Sequence, residues 1–150
     1  GFQRGLKQFE PHMTLEKDTR KLMRERKYMR VYWGGAAIAL LADVHLRSES
    51  GGVESLDKVL KKISKCCLPT KGQRWQAKEL MQQLDETART AIFSSLYRAY
   101  AVEAAFPSLD SAYEKLGITI SDRGSLSFDS DPNSLHRRIM RSSLSAEARY

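Results

Sequence analysis

The chain has 150 residues, enough for one domain with a real hydrophobic core, and its 41% hydrophobic and 29% charged residues are the balance of a soluble globular protein. No apolar run reaches the roughly 18 to 20 residues of a membrane span, because Asp43 and His45 end the longest one. The net charge of +7, from 25 Lys and Arg against 18 Asp and Glu, is spread along the chain with acids interrupting the densest stretch, which argues against nucleic acid as the partner.

Helical periodicity dominates from the N-terminus onward. Phe2, Leu6 and Phe9 form a short apolar stripe that Pro11 interrupts. Thr14 is an N-cap candidate for a helix running to about Arg30, with Glu16 in the first turn and basic residues later, as the helix dipole favours. Its apolar positions are sparse (Leu15, Leu22, Met23), so it is expected on the surface, its basic residues forming a solvated face.

The stretch "YMRVYWGGAAIALLADVHLR", residues 28–47, is the least ordinary. From Tyr32 to about Arg47 it reads as a helix that is apolar nearly all round, and such a helix belongs at the centre of a domain. Its opening carries Gly34 and Gly35, which cost helix stability but let another group approach the backbone closely. "SESGG" then breaks the chain at residues 48–52. In "SLDKVLKKI" Ser55 caps, Asp57 sits in the first turn, and Leu56, Val59, Leu60 and Ile63 fall on one face.

Pro69 and Gly72 mark a loop, and a helix is expected over residues 74–86 with Trp75, Leu80, Met81 and Leu84 inward. Another follows over 88–105, with Ile92, Phe93, Leu96, Tyr97 and Tyr100 at helical spacing and Pro107 ending it. "SLDSAYEKLGI" is a short helix capped by Ser108 and stopped by Gly117. Residues 118–120 can form a brief strand, 121–134 read as loop, and 134–149 as a basic terminal helix or ordered tail. The fold expected is an all-α bundle of about six or seven helices over residues 1–120, with a loop and C-terminal extension over 121–150.

The chain shows no catalytic constellation of its own. His12, His45 and His136 do not form H-E-x-x-H or another two-ligand helical pair, and His45 with Glu49 is a weak zinc signal better read as a surface pair. G-x-S-x-G, a phosphate-cradling Gly-rich loop and a dinucleotide fingerprint are all missing. Cys66 and Cys67 are adjacent, and neighbours rarely close a disulfide with good geometry, so buried or idle thiols are expected. That leaves Tyr32. Read from the residues alone, its simpler role is structural, with the ring packed on Trp33. Its hydroxyl can also donate one hydrogen bond, and in a cleft wall it could steady the oxyanion formed when water attacks an amide carbonyl.

Tyr32-Trp33-Gly34-Gly35-Ala36-Ala37, followed by "LLADVHLR" and "GGVESLDKVL", resembles the segment downstream of the zinc site in the glycyl aminopeptidase family of thermolysin-like zinc metallopeptidases. There a Tyr-x-x-Gly-Ala element opens a buried helix that closes on Asp-x-x-Leu-Arg, here Asp43, Leu46 and Arg47. A Gly-rich turn and a Ser-Leu-Asp-x-x-Leu helix come next, here Ser55, Leu56, Asp57 and Leu60. Tight matches span residues 28–63 and looser ones run to about 120, through helices resembling the family's closing pair. The resemblance implies the C-terminal helical subdomain of a bacterial metallopeptidase catalytic domain. It gives Tyr32 the role of oxyanion stabiliser and puts Gly34 and Gly35 in the wall of a cleft for peptides with small N-terminal residues.

The family's H-E-x-x-H and its downstream Glu ligand do not occur between residues 1 and 150, so the zinc-binding half is expected in a preceding segment. Zinc belongs to the parent protein, and none is expected on this chain, which alone should not hydrolyse peptides. Two copies could pair through the apolar surface a halved domain exposes. Bacterial cytoplasm and periplasm both stay open. The competing readings are a non-catalytic all-α interaction module and, behind it, a basic nucleic-acid-binding helical domain.

Overall fold

The computed structural model describes residue 7 and residues 14–26, 28–67, 74–103 and 106–147. The stripe of Phe2, Leu6 and Phe9 and the loop at Pro69 and Gly72 lie outside the described residues, as do the side chains of Leu22 and Met23. Among the described residues the fold is all-α apart from one small hairpin. The elements are α1 (Leu15–Glu25), α2 (Tyr28–Glu49), α3 (Leu56–Cys66), α4 (Ala77–Ala88), α5 (Ile92–Leu96) continuing as a π-helical turn (Tyr97–Val102), α6 (Asp110–Leu116), β1 (Ile118–Ile120), β2 (Leu126–Phe128) and α7 (Leu135–Glu147).

Thr14 caps α1 as its sequence position suggests, its Oγ1 accepting from Lys17 N at 3.2 Å. The helix expected to run on to Arg30 instead ends at Arg26, which takes left-handed backbone at φ 52°. Such a conformation costs a non-glycine residue roughly 1–2 kcal/mol. The tertiary contacts explain the break. Leu15 packs on Gly34 and Asp18 pairs with Arg30, so α1 and α2 form an antiparallel hairpin that must turn between them. As a result α2 starts at Tyr28, and Tyr32 stands one turn inside the helix rather than at its start.

α2 has 22 residues and is the central rod of the bundle, touching α1, α3, α5 and α6. It feeds two cores from opposite sides. Ala42 and Leu46 join Val59, Ile63, Leu84, Phe93 and Leu96, whereas Val44 joins Ala112, Leu116 and Leu135. That two-sided burial is the physical reason for its lack of a polar face.

The loop from α2 to α3 is fastened by Asp43. Its Oδ2 accepts from Arg47 Nε at 2.8 Å, and its Oδ1 accepts from the backbone N of Leu56, also at 2.8 Å. The Leu56 N–H is one of the first-turn donors that no helix can satisfy internally. Ser55 Oγ takes another, from Lys58 N two residues on. Replacing Asp43 by Ala should therefore lower stability by about 1–3 kcal/mol in urea unfolding, with Asn, which keeps an acceptor, falling in between.

On α3 the buried pair is Val59 and Ile63, while Leu60 is 47% exposed despite its place on the apolar face. α4 is anchored by Glu79, whose carboxylate accepts from Gln76 N at 3.3 Å. The helix expected to start at Ala88 begins at Ile92, because α4 ends in a left-handed Arg89 and Asp85 reaches forward to accept from Phe93 N (2.8 Å) and Ser94 N (3.0 Å). A carboxylate eight residues upstream thus does the capping.

Gly117 stops α6 at φ 67°, and a Cβ there would lie 2.7 Å from Asp129 Cβ, so both backbone angle and space call for glycine. β1 forms as expected. The loop expected over 121–134 contains its antiparallel partner β2, with Ile118 opposite Phe128 and Ile120 opposite Leu126. The pairing closes over a turn in which Ser121 N donates to Ser125 O and Ser125 N to Ser121 Oγ. α7 is held by buried Leu135, by His136 Nδ1 at 2.9 Å from Leu116 O, and by Arg138 donating to Gly51 O.

The cysteines depart from expectation. Cys66 ends α3, Cys67 steps out of the helix at φ −137°, and the two are joined in a disulfide with Cα atoms 3.7 Å apart.

Candidate functional site

α2 presents its residues in stripes, and Tyr32, Gly35 and Ala39 follow one another at the i, i+3, i+7 spacing of a single face. Gly35 and Ala39 line a cavity of about 550 Å³ set between five helices. Tyr32 does not line it but belongs to the same stripe one turn toward the N-terminus, 65% exposed. Its ring meets Trp33 edge to face, with centroids 5.0 Å apart and planes at 84°. The Tyr32 hydroxyl makes no hydrogen bond among the described residues. The ring contact anticipated with Trp33 and an accessible phenol are therefore both present.

The two glycines have separate jobs. A Cβ on Gly34 would come 3.2 Å from Leu15 Cδ1, so Gly34 is what lets α1 lie against α2. It is buried and does not line this cavity. The reason is the α1–α2 hairpin, which covers this side of the helix. On Gly35 a Cβ would meet nothing within 4 Å, because that side opens on the cavity.

The cavity walls are largely apolar. Ile38 and Ala42 of α2, Leu60 of α3, Met81 and Leu84 of α4 and Phe93 of α5 contribute most of that character. α1 adds polar groups in Glu16, Thr19 and Arg20, with Arg20 donating to Glu16 at 2.7 Å. Tyr97 enters from the π-helical turn. Partial burial, and then the charge of Glu16, push its phenol above the usual tyrosine value, while Arg20 pulls the other way. A widened helical turn of this kind is found disproportionately at functional sites.

Among the described residues no group of three His, Cys, Asp and Glu side chains could hold a metal ion, and no helix is long and apolar enough to cross a membrane. His45 is half-buried, Glu49 is exposed, and His136 is committed to Ser134 and Leu116. His12 lies outside the described residues.

The sequence did not announce the ion pair between Asp18 and Arg30. Both side chains are 1% exposed, and Arg30 Nε donates to Asp18 Oδ2. An Arg flanked by Met29 and Val31, at the head of an apolar run, is its only trace in the sequence. The cavity was equally illegible, since its walls come from five separate helices.

Comparison of the chain with protein-family models, with curated proteins and with solved structures returns no match.

Proposed function

We propose that this chain is the C-terminal helical part of the catalytic domain of a zinc metallo-aminopeptidase, one that hydrolyses peptides with small N-terminal residues. In this reading Tyr32 donates a hydrogen bond to the oxyanion that develops as the scissile carbonyl becomes tetrahedral. Such a donor counts only when it is already in place and not engaged elsewhere. The observation that carries the proposal is the state of Tyr32: exposed, without a hydrogen bond among the described residues, and on the α2 stripe that continues into the cavity wall.

A second feature supports it. Three of the motif residues behind the resemblance are tied together, because Asp43 accepts from Arg47 and from the backbone N of Leu56 at the start of the next helix. A pattern spread over residues 43–57 thus reflects one joint between α2 and α3.

The zinc of such an enzyme finds no ligand set among the described residues, so no step through the metal is assigned to them. The uncut reading frame tests the proposal directly. It should encode an H-E-x-x-H helix and a further Glu ligand ahead of residue 1. A natural frame that begins near Gly1 would replace this reading with a free-standing helical module.

A further inference from the structure

A second cavity, of about 360 Å³, adjoins the apolar one, and the two share Met81 and Tyr97 in their walls. Its character differs. Lys78 and Gln82 from α4 and Ser94 and Arg98 from the α5 region line it, bringing two cations and several hydrogen-bond donors to one end of the apolar space. Lys78 and Arg98 make no ion pair among the described residues. Glu16, the acid among the lining residues of the apolar cavity, is already paired with Arg20.

An apolar chamber of ligand size that ends at two unpaired cations has a definite chemical complement. Burying a hydrocarbon chain is favourable in proportion to its apolar area. An anionic head adds charge-assisted hydrogen bonds that a neutral head cannot make. We propose that the two adjoining cavities form one binding site for a free medium-chain aliphatic carboxylate, its chain between α2, α3 and α4 and its head between Lys78 and Arg98. Tyr97 stands where the two compartments meet, on the π-helical turn that widens the helix at that point. The proposal does not rest on peptide hydrolysis, and binding is its readout.

Isothermal titration of the 150-residue chain with decanoate, below its micelle concentration, tests the site. Saturable binding with one site per chain is expected, and decan-1-ol should bind about tenfold more weakly for want of the charged head. Lys78→Glu with Arg98→Glu should weaken decanoate by at least about tenfold and leave decan-1-ol within about twofold. Ala39→Trp should fill the chamber and abolish both, with far-UV circular dichroism reporting the fold. If Ala39→Trp fails to fold, the exposed charge-reversal pair remains decisive. The proposal is overturned by no binding of decanoate, by equal affinity for the alcohol, or by decanoate affinity that survives charge reversal. Sedimentation with phosphatidylglycerol vesicles without binding of free decanoate would also overturn it, since that would make the surface a membrane contact.

Discussion

Tyr32→Phe in the full-length protein is expected to lower turnover of a short peptide with N-terminal Gly or Ala by about 10²–10³-fold, the usual cost of losing one oxyanion donor. The substitution removes a single oxygen. Phe keeps the ring and with it the edge-to-face contact with Trp33, so local packing is unchanged. The side chain is 65% exposed and its hydroxyl satisfies nothing among the described residues, so the melting temperature should stay put. The two halves of the result must occur together. A donor that acts only as the oxyanion develops affects kcat and leaves KM nearly alone, since the ground-state peptide is held by other groups. Unchanged turnover in a folded Tyr32→Phe protein would end the assignment of Tyr32 to the chemistry, and a loss of stability would restore its purely structural role.

The largest stability effect is expected at Asp18. This carboxylate and the Arg30 guanidinium are both 1% exposed and bonded to each other between α1 and α2. Asp18 Oδ1 is buried and accepts no hydrogen bond among the described residues. Taking two charges out of water is costly, and their attraction offsets that cost only while both are present. Asp18→Ala takes a buried carboxylate partner from the guanidinium and should destabilise by about 3–5 kcal/mol in urea unfolding. Replacing both residues with apolar ones of similar size, as in Asp18→Leu with Arg30→Met, should recover most of that loss. If the double replacement is as unstable as the single one, the loss does not come from an uncompensated buried charge. The contact matters beyond stability, because the α1–α2 hairpin puts Glu16, Thr19 and Arg20 at the cavity and places Leu15 over Gly34.

Where helices stop is set by contacts that periodicity does not register. The pattern over residues 15–30 is continuous, yet the chain reverses at Arg26 because Leu15 and Asp18 find Gly34 and Arg30 on the next helix. Likewise Asp85 decides the start of α5 from eight residues away. A capping Ser or Thr immediately ahead of its helix acts locally, which is why Thr14 and Ser55 were readable and Asp85 was not. β2 is not legible in the sequence for a related reason. Leu126-Ser127-Phe128 is too short to signal a strand, and only pairing with Ile118–Ile120 makes it one.

The sequence by itself determined the helical class, the central place of α2, the caps at Thr14 and Ser55, and Gly117 as the end of α6. Each of these depends on neighbours a turn or less away, or on a periodicity carried within one segment. The tertiary structure alone decided the separate roles of Gly34 and Gly35, the burial of Asp18 against Arg30, and the cavity beside the Tyr32 stripe. Those properties belong to pairs of helices rather than to any one of them, and which helices meet is settled by the packing of the whole core.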